Sequence, residues 1–276
     1  MKIYESEGVT WVEPDDFYDI SKTLTCGQCF RWKYLGEHAY LGVHTNHAVT
    51  VYQEAPGKPI ALLTDLDTAK RVWVPYFDFD AQYDRKIKDL ALDNYAQSAY
   101  EYSKGIHLLR QDFWEMVISY IISQRNRLAN IGAVVDRIAA ACGEEIDYSG
   151  IKVYAFPSAQ DMLEVSPSVW DTFMLGYRYE YVRNIVEVAA QDPEGFASIQ
   201  FMPTEEAYAT LTRYKGIGPK VANCILLFGM HRTESFPIDI WIQRVIDNHY
   251  GGSLDASKFG DMAGIIQQYM FNYIRN

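Results

Sequence analysis

Long apolar runs are absent from the sequence. No stretch approaches the length needed to cross a membrane, and the start, MKIYESEGVT, lacks a basic region followed by an apolar one. Repeats of fixed period and low-complexity tracts are also missing. We therefore expect a soluble intracellular protein without a membrane partner. Its 276 residues allow one or two domains with a substantial core.

Positive charge is scarce. Lysine and arginine number 25 against 36 aspartates and glutamates, for a formal net charge of -11. Repulsion from phosphate argues against a general nucleic-acid coat protein. A small, locally basic surface is compatible with this charge, because six basic residues lie in or beside predicted turns and helix starts of the second half. They are Arg125, Arg127, Arg178, Arg183, Lys215 and Lys220.

The chain contains only four cysteines, Cys26, Cys29, Cys142 and Cys224. The pair Cys26-Gly-Gln-Cys29 has the spacing of a thioredoxin-type redox motif, but aromatic, strand-like sequence follows it instead of a helix. A zinc site completed by His44 and His47 is another alternative, although the histidine spacing is one residue shorter than usual. We expect neither a metal ion nor another cofactor.

The pattern of the sequence changes near residue 66. Before it, β-branched and aromatic residues at 29–34, 39–44 and 48–52, separated by turn signals, predict an antiparallel meander. Pro56-Gly57-Lys58-Pro59 interrupts this pattern. From Asp67 the periodicity is helical to the end of the sequence. The order of elements is therefore a β-rich part followed by a helical part.

Residues 204 to 247 predict helix, glycine turn, helix, short loop and helix. Thr204 suits an N-cap. In Gly216-Ile217-Gly218 the two glycines can adopt positive φ and allow another backbone to come close, and Pro219 suits the first helical position. The free N–H groups of that helix point out of the turn, which makes a site for an anion such as phosphate.

Lys220 is the most informative residue of this stretch. It lies in the first helical turn, where the helix dipole disfavours a cation by about 0.3 to 1 kcal/mol. Partial desolvation would also favour the neutral amine, which is a nucleophile. Cys224 lies four residues on, on the same face. Asp239, the predicted N-cap of the third helix, brings a carboxylate near the lysine, although a solvated lysine and a purely capping aspartate are the alternative.

The segments KGIGPKVANC and FPID resemble the helix-hairpin-helix and Gly/Pro-Asp signature of the DNA glycosylase superfamily, in the branch with a catalytic lysine. The resemblance covers nearly the whole chain. It implies an α+β fold, with an N-terminal antiparallel β-sheet domain of the TBP-like kind over residues 1–103. A two-lobed all-α helix-hairpin-helix glycosylase domain would follow over 104–276, with lobes at about 112–188 and 189–276. Lys220 and Asp239 would be the catalytic residues, and Gly216 and Gly218 would contact DNA.

The segment CGQCFRW resembles the 8-oxoguanine branch, and the chain as a whole resembles its bacterial-type members. In that branch the carbonyl matching Gly27 faces the damaged base. 8-Oxoguanine carries a hydrogen at N7 where guanine has a bare acceptor, so this carbonyl would favour the lesion. A simple tight turn at Gly27 is the alternative. The resemblance also gives base recognition to Cys224, Gln267 and Phe271, with the glutamine reading the pairing edge and the phenylalanine stacking on the base.

The remaining candidate residues would contact DNA. Arg125 and Asn126 lie in a polar break between two apolar helices, which in the family lies against the base left unpaired. Tyr177 and Arg178 resemble the family's wedge, and Trp241 lies where the family contacts phosphate. From the residues alone, the break is equally compatible with an exposed loop and Tyr177 with a core residue.

Three positions depart from the pattern of the eukaryotic members. Arg125 replaces an expected asparagine, Asn130 an arginine that reads the opposite cytosine, and Trp241 a histidine. We therefore expect a relaxed preference for cytosine opposite the lesion. The iron–sulfur cluster of some relatives is not supported, because no run of four closely spaced cysteines lies near the C-terminus.

The combined prediction is a monomeric, bifunctional DNA glycosylase and AP lyase that excises 8-oxoguanine in base excision repair. Its partner would be double-stranded DNA containing an oxidised purine, and in a prokaryote it would be cytoplasmic and associated with the nucleoid. The alternatives are a glycosylase of the same superfamily for another lesion, and a helix-hairpin-helix DNA-binding protein without catalysis.

Overall fold

An antiparallel sheet of six strands is formed within the first 62 residues in the computed structural model, which describes residues 1–276. The strands are β1 Lys2–Ser6, β2 Val9–Glu13, β3 Trp32–Gly36, β4 Ala39–His44, β5 His47–Gln53 and β6 Ile60–Leu62. Their order is β1-β2-β6-β5-β4-β3. The three predicted strands correspond to β3, β4 and β5, and β1, β2 and β6 extend the sheet beyond them.

Helices make up most of the remaining chain, with a first short helix inside the sheet region. They are α1 Ile20–Thr25, α2 Leu66–Thr68, α3 Val74–Tyr76, α4 Tyr83–Lys88, α5 Asn94–Ser103, α6 Phe113–Ile122, α7 Leu128–Cys142, α8 Ala159–Glu164, α9 Pro167–Thr172, α10 Tyr179–Gln191, α11 Pro193–Ser198, α12 Thr204–Leu211, α13 Pro219–Cys224, α14 Ile240–His249 and α15 Ala263–Arg275. A π turn, Ala69–Trp73, joins α2 to α3. No helix is both long and apolar enough to cross a membrane.

One part of the helical region is not helical. Strands β7 Glu145–Tyr148 and β8 Ile151–Tyr154 pair as an antiparallel hairpin. The prediction of unbroken helical periodicity was wrong here, because Ser149 and Gly150 adopt positive φ and close a two-residue turn. The Tyr148 hydroxyl donates to the Leu63 carbonyl and accepts from the Thr50 amide, so the hairpin lies against the N-terminal sheet.

Two hydrophobic cores divide the chain. In the smaller core, Val49 and Val51 of β5 pack with α1 and with Trp73 of the π turn. Helices from α4 to α15 surround the larger core. The proposed division between residues 103 and 104 falls at the end of α5.

The last helix is fixed to the first half of the chain. Helix α15 packs along α5, and the Ser103 hydroxyl donates to the Tyr269 carbonyl and accepts from the Asn272 amide. The Gln268 side chain donates to the Cys26 carbonyl at 3.1 Å. These long-range bonds hold the turn after α1 next to α15, which positions both for the site described below.

A buried ion pair also joins the two parts. The Arg31 guanidinium lies 3.3 Å from the Glu115 carboxylate at the start of α6, and each side chain is less than a tenth exposed. Arg31 also donates to the Tyr154 carbonyl in β8. Burial raises the pKa of Glu115 to about 7, although the Arg31 charge acts in the opposite direction. A raised native pKa means that the folded chain holds this proton more tightly than the unfolded chain does.

Glu115→Gln should change how stability depends on pH. The contribution of the protonated carboxyl is complete below the unfolded pKa and is lost as pH rises through about 7. Glutamine has no ionisable group, so the variant does not lose this contribution as pH rises. Its free energy of unfolding should therefore rise relative to wild type by about 2 kcal/mol between roughly pH 5.5 and pH 8.5. Urea unfolding of both proteins across this range measures the difference. A difference that stays constant with pH would contradict the raised pKa.

Candidate active site

A cavity of about 1040 Å³ lies between the turn after α1, the α6–α7 connection, the glycine hairpin before α13, the start of α14 and helix α15. It brings together residues from both ends of the sequence. Ten predicted site residues line it: Gly27, Arg125, Asn126, Gly218, Lys220, Cys224, Asp239, Trp241, Gln267 and Phe271. Gly216, Tyr177 and Arg178 lie outside the lining.

The glycine hairpin leads from α12 into α13 as the sequence predicts. Gly216 has φ +90, and a Cβ there would collide with the ring of Tyr181, so this position requires glycine. The Gly216 carbonyl accepts a hydrogen bond of 2.9 Å from the Gln124 side chain in the α6–α7 connection. Gly218 is the extended N-cap, and Pro219 is the first helical residue. The hairpin is thereby fixed against the polar break.

Lys220 projects from the first turn of α13 into this cavity. Its Nζ atom lies 3.3 Å from the Ser123 hydroxyl and 5.5 Å from the centre of the Tyr120 ring. The side chain is half-buried and forms no ion pair with a carboxylate. Burial raises the pKa of the neighbouring Cys224 thiol, while the charge of Lys220 acts to lower it. The amine is therefore surrounded by a hydroxyl, a neutral thiol and an aromatic ring.

Asp239 caps α14, as predicted from the sequence. Its Oδ1 atom accepts from the amides of Trp241 at 3.0 Å and Ile242 at 2.9 Å. Oδ2 takes part in neither bond, and the residue lines the cavity that contains Lys220. The cap fixes the orientation of the carboxylate, so capping and a role in the cavity are compatible.

The turn at Gly27 forms another wall of the cavity. Gly27 has φ +97, and a Cβ would lie 3.2 to 3.4 Å from atoms of Leu128, Arg275 and Phe271, so a larger residue is disfavoured by both conformation and space. No backbone amide donates to the Gly27 carbonyl. The next side chain, Gln28, donates to the Thr23 and His107 carbonyls and accepts from the Leu109 amide. These bonds make the turn rigid.

Helix α15 contributes Gln267 and Phe271, four residues apart on one face. The Gln267 side chain is only 4% exposed, yet its Oε1 atom has no hydrogen-bond partner. An unpaired buried acceptor costs about 1 to 3 kcal/mol, so its place in a cavity wall indicates a group that a ligand completes. Phe271 is half-buried beside Gly27 and offers an aromatic face to the same space.

The wedge residues lie on the surface next to the cavity. Tyr177 is 53% exposed, so the alternative of a core residue was wrong. Its hydroxyl donates to the Gln124 carbonyl at 3.0 Å, and Arg178 donates to the same carbonyl and, at 3.0 Å, to that of Arg125. Arg125 is exposed with φ +48. Tyr177 and Arg178 thus hold the backbone of the polar break, and Asn126 and Trp241 lie half-buried where that break and α14 meet the cavity.

The structure does not bring the cysteines and histidines of the redox and zinc alternatives together in one site. The Cys26 and Cys29 thiols are buried and donate to the Thr23 and Leu24 carbonyls. His44 packs against the Tyr76 ring, 4.6 Å between ring centres. No three side chains of His, Cys, Asp or Glu come together in a geometry able to hold a metal ion.

Three cavity residues without a predicted role contact the predicted ones. Ser123 contacts Lys220 and Gln124 contacts the hairpin across more than ninety residues of sequence, so no local spacing reveals these contacts. Arg275 follows Phe271 by four residues and continues the same helical face, so its place in the cavity could have been predicted from the sequence.

The comparisons with known proteins agree with this geometry. The family model of the 8-oxoguanine DNA glycosylase N-terminal domain matches residues 13–117. N-glycosylase/DNA lyase OGG1 of Arabidopsis thaliana is 27% identical over 278 residues, which cover 90% of this chain and 75% of the plant protein.

Two solved structures match almost from end to end. MBOgg1 in complex with a low-affinity DNA ligand is 30% identical, with a TM-score of 0.91 over 99% of this chain and 98% of that one. The Clostridium acetobutylicum 8-oxoguanine glycosylase/lyase, in complex with double-stranded DNA containing cytosine opposite 8-oxoguanine, is 27% identical. Its TM-score is 0.90, over 100% of this chain and 98% of that one. A family likeness of this extent, with the lysine, aspartate and glycine turn meeting in one cavity, shows that the chain belongs to the 8-oxoguanine DNA glycosylase family.

Proposed function

We propose that this protein excises 8-oxoguanine from double-stranded DNA and then cleaves the strand at the resulting abasic site. The observation that carries the proposal is that Lys220, Asp239, Gly27 and Gln267 open into one cavity large enough for a purine nucleoside. The relatives' names, N-glycosylase/DNA lyase and 8-oxoguanine glycosylase/lyase, support both activities. The enzyme would be of the bacterial type, act as a monomer and, in a prokaryote, work at the nucleoid in the cytoplasm.

The chemistry begins with the damaged nucleotide rotated out of the duplex. The deprotonated Lys220 amine bonds to C1′ as the glycosidic bond breaks, and the electron pair leaves with the base, which takes up a proton. The free oxygen of Asp239 stabilises the positive charge that develops on the sugar. Opening of the sugar ring then gives a Schiff base on Lys220. Loss of a C2′ proton expels the 3′ phosphate, and water releases the lysine.

Base recognition follows from the polar groups that the protein leaves unpaired. A guanine-type pairing edge presents N–H donors, and the buried Oε1 atom of Gln267 is an acceptor without a donor. The Gly27 carbonyl, which no amide engages, can accept the N7 hydrogen that only the oxidised base carries. Phe271 on one side and Cys224 on the other supply apolar contact to the ring faces. Undamaged guanine would set two lone pairs against each other at Gly27.

Duplex DNA would lie across the surface formed by the polar break and the wedge. Because Tyr177 and Arg178 bind the Gln124 and Arg125 carbonyls, these segments form one surface beside the cavity. We infer that Tyr177 fills the space of the extruded nucleotide, while Arg125, Asn126 and Arg178 contact the base left behind. Gly216 and Gly218 would let a phosphate approach the hairpin, and Trp241 would pack at the start of α14.

Lys220→Gln tests the nucleophile. Because the Schiff base requires the amine, borohydride should trap no covalent adduct between this variant and 8-oxoguanine DNA, while some affinity for the lesion duplex remains. Lys152→Gln, on the exposed hairpin far from the cavity, is the matched control and should give the wild-type yield. An undiminished adduct with Lys220→Gln would remove Lys220 from this role.

Gly27→Ala tests base recognition apart from strand cleavage. The added Cβ crowds Phe271 and strains a backbone at φ +97, so single-turnover excision of 8-oxoguanine should fall about 10- to 100-fold. Cleavage of a duplex with a preformed abasic site needs no base and should change little. Gly36→Ala is the matched control, because Gly36 has φ +95 but open space around it. Equal loss of both activities would contradict the role.

The opposite base tests the DNA-facing surface. With Asn130 replacing an arginine expected to read cytosine, and Arg125 replacing an expected asparagine, excision rates opposite all four bases should agree within about tenfold. Single-turnover kinetics on four duplexes that differ only at that base measure this. A strict requirement for cytosine would refute the relaxed selectivity.

A further inference from the structure

Arg275 completes a row of three residues on helix α15. Gln267, Phe271 and Arg275 are spaced by four and lie on one face of the helix, and all three line the cavity. The Arg275 guanidinium lies 5.0 Å from the centre of the Phe271 ring. Its Nη1 atom is 3.3 Å from the point where a Cβ on Gly27 would be. The cation therefore lies at the mouth of the base pocket, beside the Gly27 turn.

No carboxylate neutralises this guanidinium, and no protein acceptor hydrogen-bonds to it. Arg275 forms no ion pair and no hydrogen bond, although the chain carries 36 carboxylates. Arg178, beside the cavity, is engaged by backbone carbonyls, among them those of Gln124 and Arg125, whereas Arg125 and Arg127 in the cavity lining are also unpaired. Contact with the Phe271 ring holds Arg275 in place without using its five N–H donors. Those donors remain available to a bound molecule.

The damaged edge of 8-oxoguanine matches this arrangement. Its N7–H donor is adjacent to the oxygen on C8, which is an acceptor. Gly27 offers an unengaged carbonyl, and the Arg275 Nη1 donor lies on the side of the same residue where a Cβ would be. Guanine presents an acceptor at N7 and a nonpolar C–H at C8, so it fails to match the carbonyl and leaves the guanidinium without the C8 oxygen.

We propose that Arg275 is a base-recognition residue that donates a hydrogen bond to the C8 oxygen of the lesion, while Gly27 accepts from N7. The protein then contacts both atoms that oxidation changes, N7 and the oxygen on C8. This assignment rests on the proposed function, because it presupposes that 8-oxoguanine enters the cavity. It adds a second polar contact to the edge that Gly27 was expected to read alone.

Arg275→Met tests the assignment, since methionine retains the packing on Phe271 and loses every donor. In the Lys220→Gln background, affinity for an 8-oxoguanine duplex should fall about tenfold, because the lost bond has a charged donor on an exposed residue. Affinity for the same duplex with a tetrahydrofuran abasic analogue should not change. Arg275→Lys, which keeps one charged donor group, should recover part of the loss.

A chemical substitution in the lesion isolates the C8 contact. 8-Thioguanine keeps the N7 hydrogen and replaces the C8 oxygen by sulfur, a weak acceptor. Arg275→Met should therefore cost much less affinity on 8-thioguanine than on 8-oxoguanine. Equal losses on the lesion and the abasic duplex would show a phosphate contact instead and overturn the proposal. No loss on either duplex, with unfolding temperature alone altered, would show a helix C-terminal cation only.

The same experiment separates this inference from the function on which it rests. The wild-type protein is assayed in parallel for release of 8-oxoguanine. If wild type excises the lesion and Arg275→Met keeps full discrimination, the assignment of Arg275 fails while the function stands. If wild type releases no 8-oxoguanine, the proposed function fails first.

Discussion

An amine without a carboxylate partner is the constraint on which this site depends. Lys220 lies within reach of a hydroxyl, a thiol whose pKa burial raises, and the ring of Tyr120. Asp239, the carboxylate of the proposed mechanism, is held by its own helix cap instead of by an ion pair with the lysine. A salt bridge between the two would stabilise the lysine as a cation and reduce its nucleophilicity. Because different contacts hold the two side chains, both line the cavity without pairing with each other.

The residues proposed for base recognition and those proposed for catalysis come from distant parts of the chain. Gly27 belongs to the N-terminal part and Gln267 to the last helix, whereas Lys220 and Asp239 lie on α13 and α14. The long-range hydrogen bonds of Gln28 and Gln268 fix the turn at Gly27 next to α15. The bond between Gln124 and the Gly216 carbonyl fixes the hairpin that leads to Lys220. These side-chain amides hydrogen-bond to backbone groups of distant segments and so hold the cavity walls together.

Local chemistry was sufficient to predict where two of the proposed catalytic residues lie on their helices. Glycines at a turn, a proline at a helix start and an aspartate at a cap act over a few residues, so Lys220 and Asp239 could be placed on their helices from the sequence. The contacts of Ser123 with Lys220 and of Arg275 with the Gly27 turn depend on packing between distant segments. The β7–β8 hairpin was missed because its turn places Ser149 at positive φ. The helical periodicity read from the sequence gives no sign of such a turn. For Tyr177, the spacing of aromatic residues alone predicts a core position, whereas the side chain lies on the surface.

Identification of the residue that bonds to DNA tests the central claim most directly. After reaction with an 8-oxoguanine duplex, the borohydride-reduced adduct of the unaltered protein can be digested and the modified peptide sequenced by mass spectrometry. We expect the sugar remnant on the side chain of Lys220, within KGIGPKVANC. Its attachment to another lysine or to the N-terminal amine would contradict the account.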